Sequence, residues 1–250
     1  MSKRLIASML FLLLAACSAA LIVLPARWLI MALPAAWPVA IVDASGTVWS
    51  GAATIAIGAP GRRRTIADPL NWKVSLQGGP ALTLTHSWLR NPLALKPSWS
   101  GVAISAQTLL IPVTVLGTLD ARLAAIDPGG ELSLSWPAMR LGRDDRPPGT
   151  LLLNAEWRSA TSALTPVRPL GDYAFTLKQG SQDAIDLNLS SRQGPLILNG
   201  TGTAGRGGEL RFNGTAQVDP AAGQEIHAAL GELLAAIGPR RDNAATFRFP

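Results

Sequence analysis

The residues of this chain that could do chemistry are few and lie far apart. His86 and His227 are the only histidines, and neither belongs to a metal-ligand spacing, so we predict no zinc site. Cys17 is the only cysteine and lies in an apolar stretch, which excludes an intramolecular disulfide and a cysteine-ligated metal. We therefore predict a chain that works without a metal or cofactor.

Two short patterns resemble functional motifs. Residues 200–205, GTGTAG, match the glycine spacing of a dinucleotide-binding loop, but such a loop must open a helix, whereas further glycines and a predicted strand follow here. These residues are better interpreted as part of a hairpin. Asp144 and Asp145 are paired carboxylates, yet arginines flank them and a Pro-Pro-Gly sequence follows, which is typical of a charge-balanced turn.

The remaining sequence contains no nucleophile elbow, phosphate-binding loop or other catalytic constellation. We therefore predict that the chain is not an enzyme and has no small-molecule substrate. The formal net charge is +6, but the basic residues are scattered apart from Arg62, Arg63 and Arg64. A nucleic-acid binder would interleave such clusters with exposed aromatic residues, so no nucleic-acid partner is predicted. We interpret the cluster as a solvated loop that suits anionic lipid headgroups.

The elements that hold these side chains begin with a membrane segment. Residues 5–24 are apolar and uncharged, and a helix of about 20 such residues spans the ~30 Å hydrocarbon core of a bilayer. Lys3 and Arg4 precede the run, which keeps the N-terminus in the cytoplasm and exports the rest of the chain. We predict a single-pass membrane protein, with residues 1–26 as cytoplasmic start and transmembrane helix.

The same run has a second interpretation. Leu14, Ala15, Ala16 and Cys17 resemble the lipobox of bacterial lipoproteins, in which the cysteine is lipidated after signal cleavage. The residues after Cys17 stay apolar through Leu24, whereas a lipidated protein normally continues into a polar tether, so a retained helix is favoured. Both interpretations place the body of the protein in the periplasm.

Residues 27–40 connect this span to the body. Arg27 and Trp28 follow the span directly, and Trp37 lies between two prolines. Indole rings suit the membrane–water interface, so we predict a membrane-surface linker, with a simple linker as the alternative.

Residues 41–250 are predicted to form a periplasmic β-rich domain, because apolar and polar residues alternate with period two. Glycines and prolines separate the short apolar runs, which favours strands joined by turns. We predict a mainly β fold, an antiparallel, curled, multi-stranded sheet with one covered face. Strands are expected over residues 46–51 and on to 57, 72–77, 81–88, 101–104, 131–136, 151–157, 173–178, 185–190, 195–201 and 209–218.

One or two short helices complete the prediction. The clearer helix covers residues 223–237, whose apolar residues share one face and which Gly238 ends. The weaker helix lies within residues 113–125. Eight tryptophans accompany a single tyrosine, and Trp49, in the first predicted strand, is expected to be either a core residue or an anchor for a partner.

Several stretches resemble one protein family. Residues 24–28, LPARW, and residues 46–51, GTVWSG, are similar to the opening of the type II secretion system protein N family. Residues 128–136, 149–151, 169–173 and 194–196 resemble later stretches of that family in the same order. The resemblance covers nearly the whole chain, and GTVWSG is its most specific part.

The resemblance implies an inner-membrane component of the type II secretion system, which exports folded proteins from the periplasm across the outer membrane. Its partners would be other components of that system and the inner membrane, and the family has no established catalytic residues. Arg27, Trp28 and Trp49 are the candidate interaction residues. The alternative is a lipid-handling or envelope-maintenance protein, for which an open apolar groove instead of a closed core would be expected.

Overall fold

The computed structural model describes residues 23–32, 34, 36–119, 121–142, 146–205, 207–241 and 244–249. The predicted transmembrane run as far as residue 22, the Leu14 to Cys17 motif and the Asp144 and Asp145 pair lie outside the described residues. None of the helices in the described ranges is long and apolar enough to cross a membrane. The chain divides into two compact units, the first ending at His86 and the second beginning at Ser87.

The first unit is a short 3-10 helix, Ala26–Ala32, followed by antiparallel strands. Strands β1 and β2 form a hairpin, β4 and β5 form another, and β3 and β4 pair with successive parts of β2. Alternation places Ala53 and Trp72 on the buried face, where they pack with Ala26. The strands are β1 Val39–Gly46, β2 Ser50–Ile57, β3 Arg64–Thr65, β4 Leu70–Ser75 and β5 Ala81–Thr85.

The second unit contains a nine-stranded antiparallel sheet in the order β16-β17-β15-β14-β13-β12-β11-β9-β8, and an antiparallel ribbon β6-β7-β10. From β11 to β15 each strand pairs with the next strand along the chain, so these strands form successive antiparallel hairpins. The strands are β6 Leu93–Ser98, β7 Gly101–Ile104, β8 Gln107–Pro112, β9 Gly129–Trp136, β10 Met139–Gly142, β11 Leu151–Thr161, β12 Gly171–Gln179, β13 Ile185–Gln193, β14 Leu196–Ala204, β15 Leu210–Val218, β16 Arg240–Arg241 and β17 Ala244–Phe249.

Short helices cover one end of this sheet. Helix α3, Gln224–Ala229, and helix α4, Gly231–Ile237, meet at Leu230, which is fully buried with Leu234. The predicted helix over residues 223–237 is therefore in the right place, but it is divided into two helices instead of being continuous. Leu230 adopts φ −87° and ψ −6°, and Gly231, a poor helix former, follows it, so the chain bends where Leu230 enters the core.

The weaker predicted helix is divided as well. It consists of a 3-10 turn, Val113–Val115, and helices α1, Leu116–Leu119, and α2, Ala121–Ile126. A further 3-10 turn, Ser181–Asp183, joins β12 to β13.

The predicted mainly β, antiparallel fold is confirmed. The prediction for residues 46–51 is wrong, because these residues end β1, turn, and begin β2 instead of forming one strand. Alternation also suggested a strand to residue 88, whereas β5 ends at Thr85. Strands β3, β6, β8, β10, β16 and β17 were not predicted. Strand β6 contains Pro97, and β8 carries a continuous apolar run in place of alternation.

Candidate functional site

The candidate interaction residues lie in the first unit, at the turn between β1 and β2. Arg27 and Trp28 are in the 3-10 helix, both exposed, with 61% of Trp28 accessible to solvent. Trp49 is half-buried within the turn, and its carbonyl oxygen accepts a hydrogen bond of 2.6 Å from Val74 N–H. The helix and the turn are neighbours because Pro25 forms a β-bridge with Thr47.

The chain that follows the predicted span is docked onto this turn. The carbonyl oxygen of Leu24 accepts a hydrogen bond of 3.0 Å from Val48 N–H. Ala26, only 1% exposed, fills the space above Ala53 and Trp72 in the core of the unit. Residues 24–26, at the end of the predicted membrane segment, are thus packed against the body and bring Arg27 and Trp28 to the turn.

Trp72 holds the turn from beneath. It is 7% exposed, and its indole Nε1–H donates a hydrogen bond of 3.1 Å to the carbonyl oxygen of Val48. A single side chain therefore fills the core of the unit and satisfies a backbone acceptor of the turn. The sequence singled out Trp49 as the interaction candidate, whereas Trp72, for which core filling is the default expectation, is the more deeply buried of the two.

The two glycines that bound GTVWSG have distinct structural reasons. Gly46 has φ +89°, a conformation that residues with a side chain rarely adopt. Gly51 pairs directly with Trp72, and a Cβ there would lie 2.6 Å from Cζ2 of the indole and would also meet the Ser45 carbonyl oxygen. The GTVWSG motif is accordingly a tight turn, and its second glycine leaves the space that Trp72 fills.

The second unit presents a polar sheet face. One register-matched row crosses eight strands and contains only polar side chains: Thr108, Ser135, Asn154, Thr176, Asn188, Thr201, Asn213 and Arg248. A groove of about 750 Å³ lies over part of this face and is lined among others by Lys178, Asp186 and Arg211. This groove is therefore lined mainly by polar side chains, with Leu187 as an apolar member of the lining.

The adjacent row points to the opposite face and is apolar. It consists of Leu109, Leu134, Ala155, Phe175, Leu189, Gly200, Gly214 and Phe247. Leu189 and Phe247 pack against the cluster that contains Leu230 and Leu234. Phe175 remains half-buried. Helices α3 and α4 therefore cover one part of the apolar face.

Three ionisable groups in the described part of this unit, Glu156, Arg158 and Tyr173, have displaced pKa values. Arg158 Nη2 donates to Glu156 Oε2 at 2.7 Å, and this hydrogen bond holds the pKa of Glu156 below its ordinary value. Burial raises the pKa of Tyr173, whose hydroxyl donates a hydrogen bond of 3.0 Å to the carbonyl oxygen of Leu196. The Glu156–Arg158 pair lies within β11, whereas the Tyr173 hydroxyl joins β12 to β14.

Each of the two histidines lies next to a backbone carbonyl oxygen. The Nε2 atom of His86 is 3.1 Å from the Asp68 carbonyl oxygen, and Nδ1 of His227 is 3.2 Å from the Gly223 carbonyl oxygen. No group of three or more His, Cys, Asp and Glu residues that could hold a metal ion occurs in the described ranges. Residues 200–204 lie within β14, which pairs with β15, so the hairpin interpretation is confirmed.

Comparison with known proteins gives a match to one protein family. The sequence model of the family described as type II secretion system (T2SS), protein N, matches residues 38–249. Comparison with curated proteins found no match, and comparison with solved structures found none.

Proposed function

This chain belongs to the type II secretion system protein N family, and from that membership we propose that it serves in the inner membrane to support export of folded proteins across the outer membrane. The family match carries the proposal, since it extends over residues 38–249 and covers the first unit from residue 38 onward and nearly all of the second. The chain is thereby a component of the type II secretion system. Its location and its mode of action are the proposed parts.

For the location, we propose that residues 5–24 remain attached as a transmembrane helix, with the N-terminus cytoplasmic and the body periplasmic. The hydrogen bond from Val48 N–H to the Leu24 carbonyl oxygen supports a body that begins where the apolar run ends. Intact-mass measurement of protein extracted from membranes tests this arrangement. A full-length mass is expected, and a mature chain that begins at a lipidated Cys17 would contradict it.

For the mode of action, we propose that the turn and the adjoining 3-10 helix contact other secretion components. Trp28 is largely exposed and Trp49 half-buried, and exposed indole rings next to an arginine are typical of interface anchors. A photo-crosslinking amino acid at position 28 or 49 should yield adducts with secretion-system proteins. The same amino acid at Leu76, 66% exposed on the same unit, is the matched control. Adducts with lipid alone would contradict the proposal.

One observation favours the lipid-handling alternative. Phe175, Leu177 and Leu187 are half-buried on the apolar face of the sheet, so that face retains some accessible apolar surface. The groove of about 750 Å³ is lined by Leu187 as well, but most of its lining side chains carry hydroxyl, amide or charged groups, which suit a protein partner better than acyl chains. Mass spectrometry of the purified protein should therefore find no stoichiometric phospholipid bound to the body.

A further inference from the structure

We propose that Trp37 and the arginines Arg62, Arg63 and Arg64, which we call the arginine corner, bind the anionic phospholipid headgroups of the bilayer. The first unit would then lie along the membrane surface instead of standing upright on it. This inference rests on the proposed inner-membrane position and adds a second contact to the transmembrane helix.

The arginine corner is assembled at the far end of the first hairpin. Gly58 N–H, just beyond β2, donates a hydrogen bond of 2.8 Å to the Pro38 carbonyl oxygen, which places Trp37 next to the end of β2. The chain then turns and pairs back on β2, with Arg64 opposite Ile57. Arg63 Nη2 donates a hydrogen bond of 2.8 Å to the Trp37 carbonyl oxygen and so fixes the arginines beside the indole.

The charge of the arginine corner is available to a ligand. Arg62 and Arg64 are exposed, and within the described ranges neither side chain forms an ion pair or a hydrogen bond. Residues 23–86 contain five Lys or Arg against two Asp, Asp43 and Asp68. A surface with this excess of cations complements a negatively charged bilayer.

Exposed apolar side chains accompany the charge. Trp37 is 54% exposed, and Val42, in β1, is also largely exposed. Indole rings favour the headgroup region, since the ring is amphipathic, and their combination with arginine is typical of a membrane-facing surface.

The length of the hairpin decides how the unit must lie. The chain leaves the apolar run near the turn, where Pro25 bridges Thr47. The arginine corner is at the opposite end of β1, a strand of eight residues, which corresponds to about 25 Å. An upright hairpin would hold the arginines well beyond a Debye length of ~8 Å, where their attraction to headgroups is screened. Contact at both ends requires the hairpin to lie along the bilayer.

Tryptophan quenching by brominated lipids tests the contact directly. The full chain is reconstituted in nanodiscs of phosphatidylglycerol and phosphatidylcholine, with bromine on the upper acyl carbons, and compared with its Trp37→Phe variant. We expect Trp37→Phe to lose part of the bromine-dependent quenching. Trp99→Phe, which removes a fully exposed indole of the second unit, should leave the quenching unchanged.

Neutralising the two free arginines tests the role of charge. Each arginine near an anionic surface should raise the ratio of membrane-docked to undocked first unit about fivefold. Arg62→Gln together with Arg64→Gln should therefore lower this ratio about 25-fold. The loss should occur in anionic discs and be absent in discs of phosphatidylcholine alone. Far-ultraviolet circular dichroism of the double variant verifies that the unit remains folded.

Quenching that is the same with and without Trp37 would overturn the contact. Burial of the Trp37 indole only when another secretion protein is present would also overturn the lipid contact. That result would identify the arginine corner as a protein interface. Secretion distinguishes this failure from failure of the proposed function. Absent quenching with normal complementation refutes only the lipid contact, whereas quenching in a protein whose loss leaves secretion intact refutes only the secretion role.

Discussion

Replacing Trp72 by alanine should destabilise the first unit more than any other tryptophan substitution there. The side chain is 7% exposed and fills the core under the turn, and truncation of a buried tryptophan costs about 3–5 kcal/mol. Trp72→Phe keeps most of the apolar volume but leaves the Val48 carbonyl oxygen without the indole donor found at 3.1 Å, which costs about 1–3 kcal/mol. Trp49→Ala should cost less than Trp72→Ala, because Trp49 is only half-buried.

Urea unfolding of the detergent-solubilised full chain, followed by far-ultraviolet circular dichroism, measures these losses. Trp99→Ala is the matched control, since Trp99 is fully exposed, and its substitution should change the unfolding free energy by less than about 0.5 kcal/mol. If the two units unfold in separate transitions, the Trp72 variants should move only one. Equal midpoints for Trp72→Ala and Trp99→Ala would refute the role assigned to Trp72.

Three further predictions concern the second unit. Gly214→Ala directs a methyl group into the Phe247 ring, whereas the methyl group of Gly207→Ala meets no atom within 4 Å. In urea unfolding, Gly214→Ala should lower the unfolding free energy by about 1–3 kcal/mol, and Gly207→Ala should lower it by under about 0.5 kcal/mol. Burial raises the pKa of Tyr173 above its unfolded value near 10, so its stabilising contribution is present below that pH and lost as pH rises further. Thermal melts of Tyr173→Phe should accordingly depend less on pH above about 10. The hydrogen bond from Arg158 lowers the pKa of Glu156, so its contribution is present above about pH 4 and lost on acidification. The stability difference between wild type and Glu156→Gln should therefore shrink as the pH falls through that range.

Much of the second unit could be predicted from local pattern. In β13, Ile185, Leu187 and Leu189 alternate with polar residues, and the strand follows that alternation from Ile185 onward. Period-two alternation suffices there because one face is packed and the other is solvated. Strand β8 has no such signal, because Leu109, Leu110 and Ile111 form a continuous apolar run. Its assignment depends on pairing with β9.

The turn in the first unit shows what local pattern cannot provide. The motif GTVWSG marked the correct place, but its alternation was interpreted as a strand, whereas Gly46 takes a positive φ and the chain reverses. The importance of Trp72 depends on its pairing with Gly51, a contact between residues distant in sequence. Two glycines bounding a short polar and aromatic segment were the available signal for a turn.

The partition of an active type II substrate between periplasm and medium tests the central claim most directly. It is measured in a strain that lacks this gene, in the complemented strain, and in a strain complemented with Arg27 and Trp28 replaced by alanine. We predict that the deletion leaves folded, active substrate in the periplasm, that the wild-type gene restores release, and that the double variant restores it poorly. Normal release together with an outer membrane that becomes leaky to detergents or hydrophobic antibiotics would contradict the account and support the lipid-handling alternative.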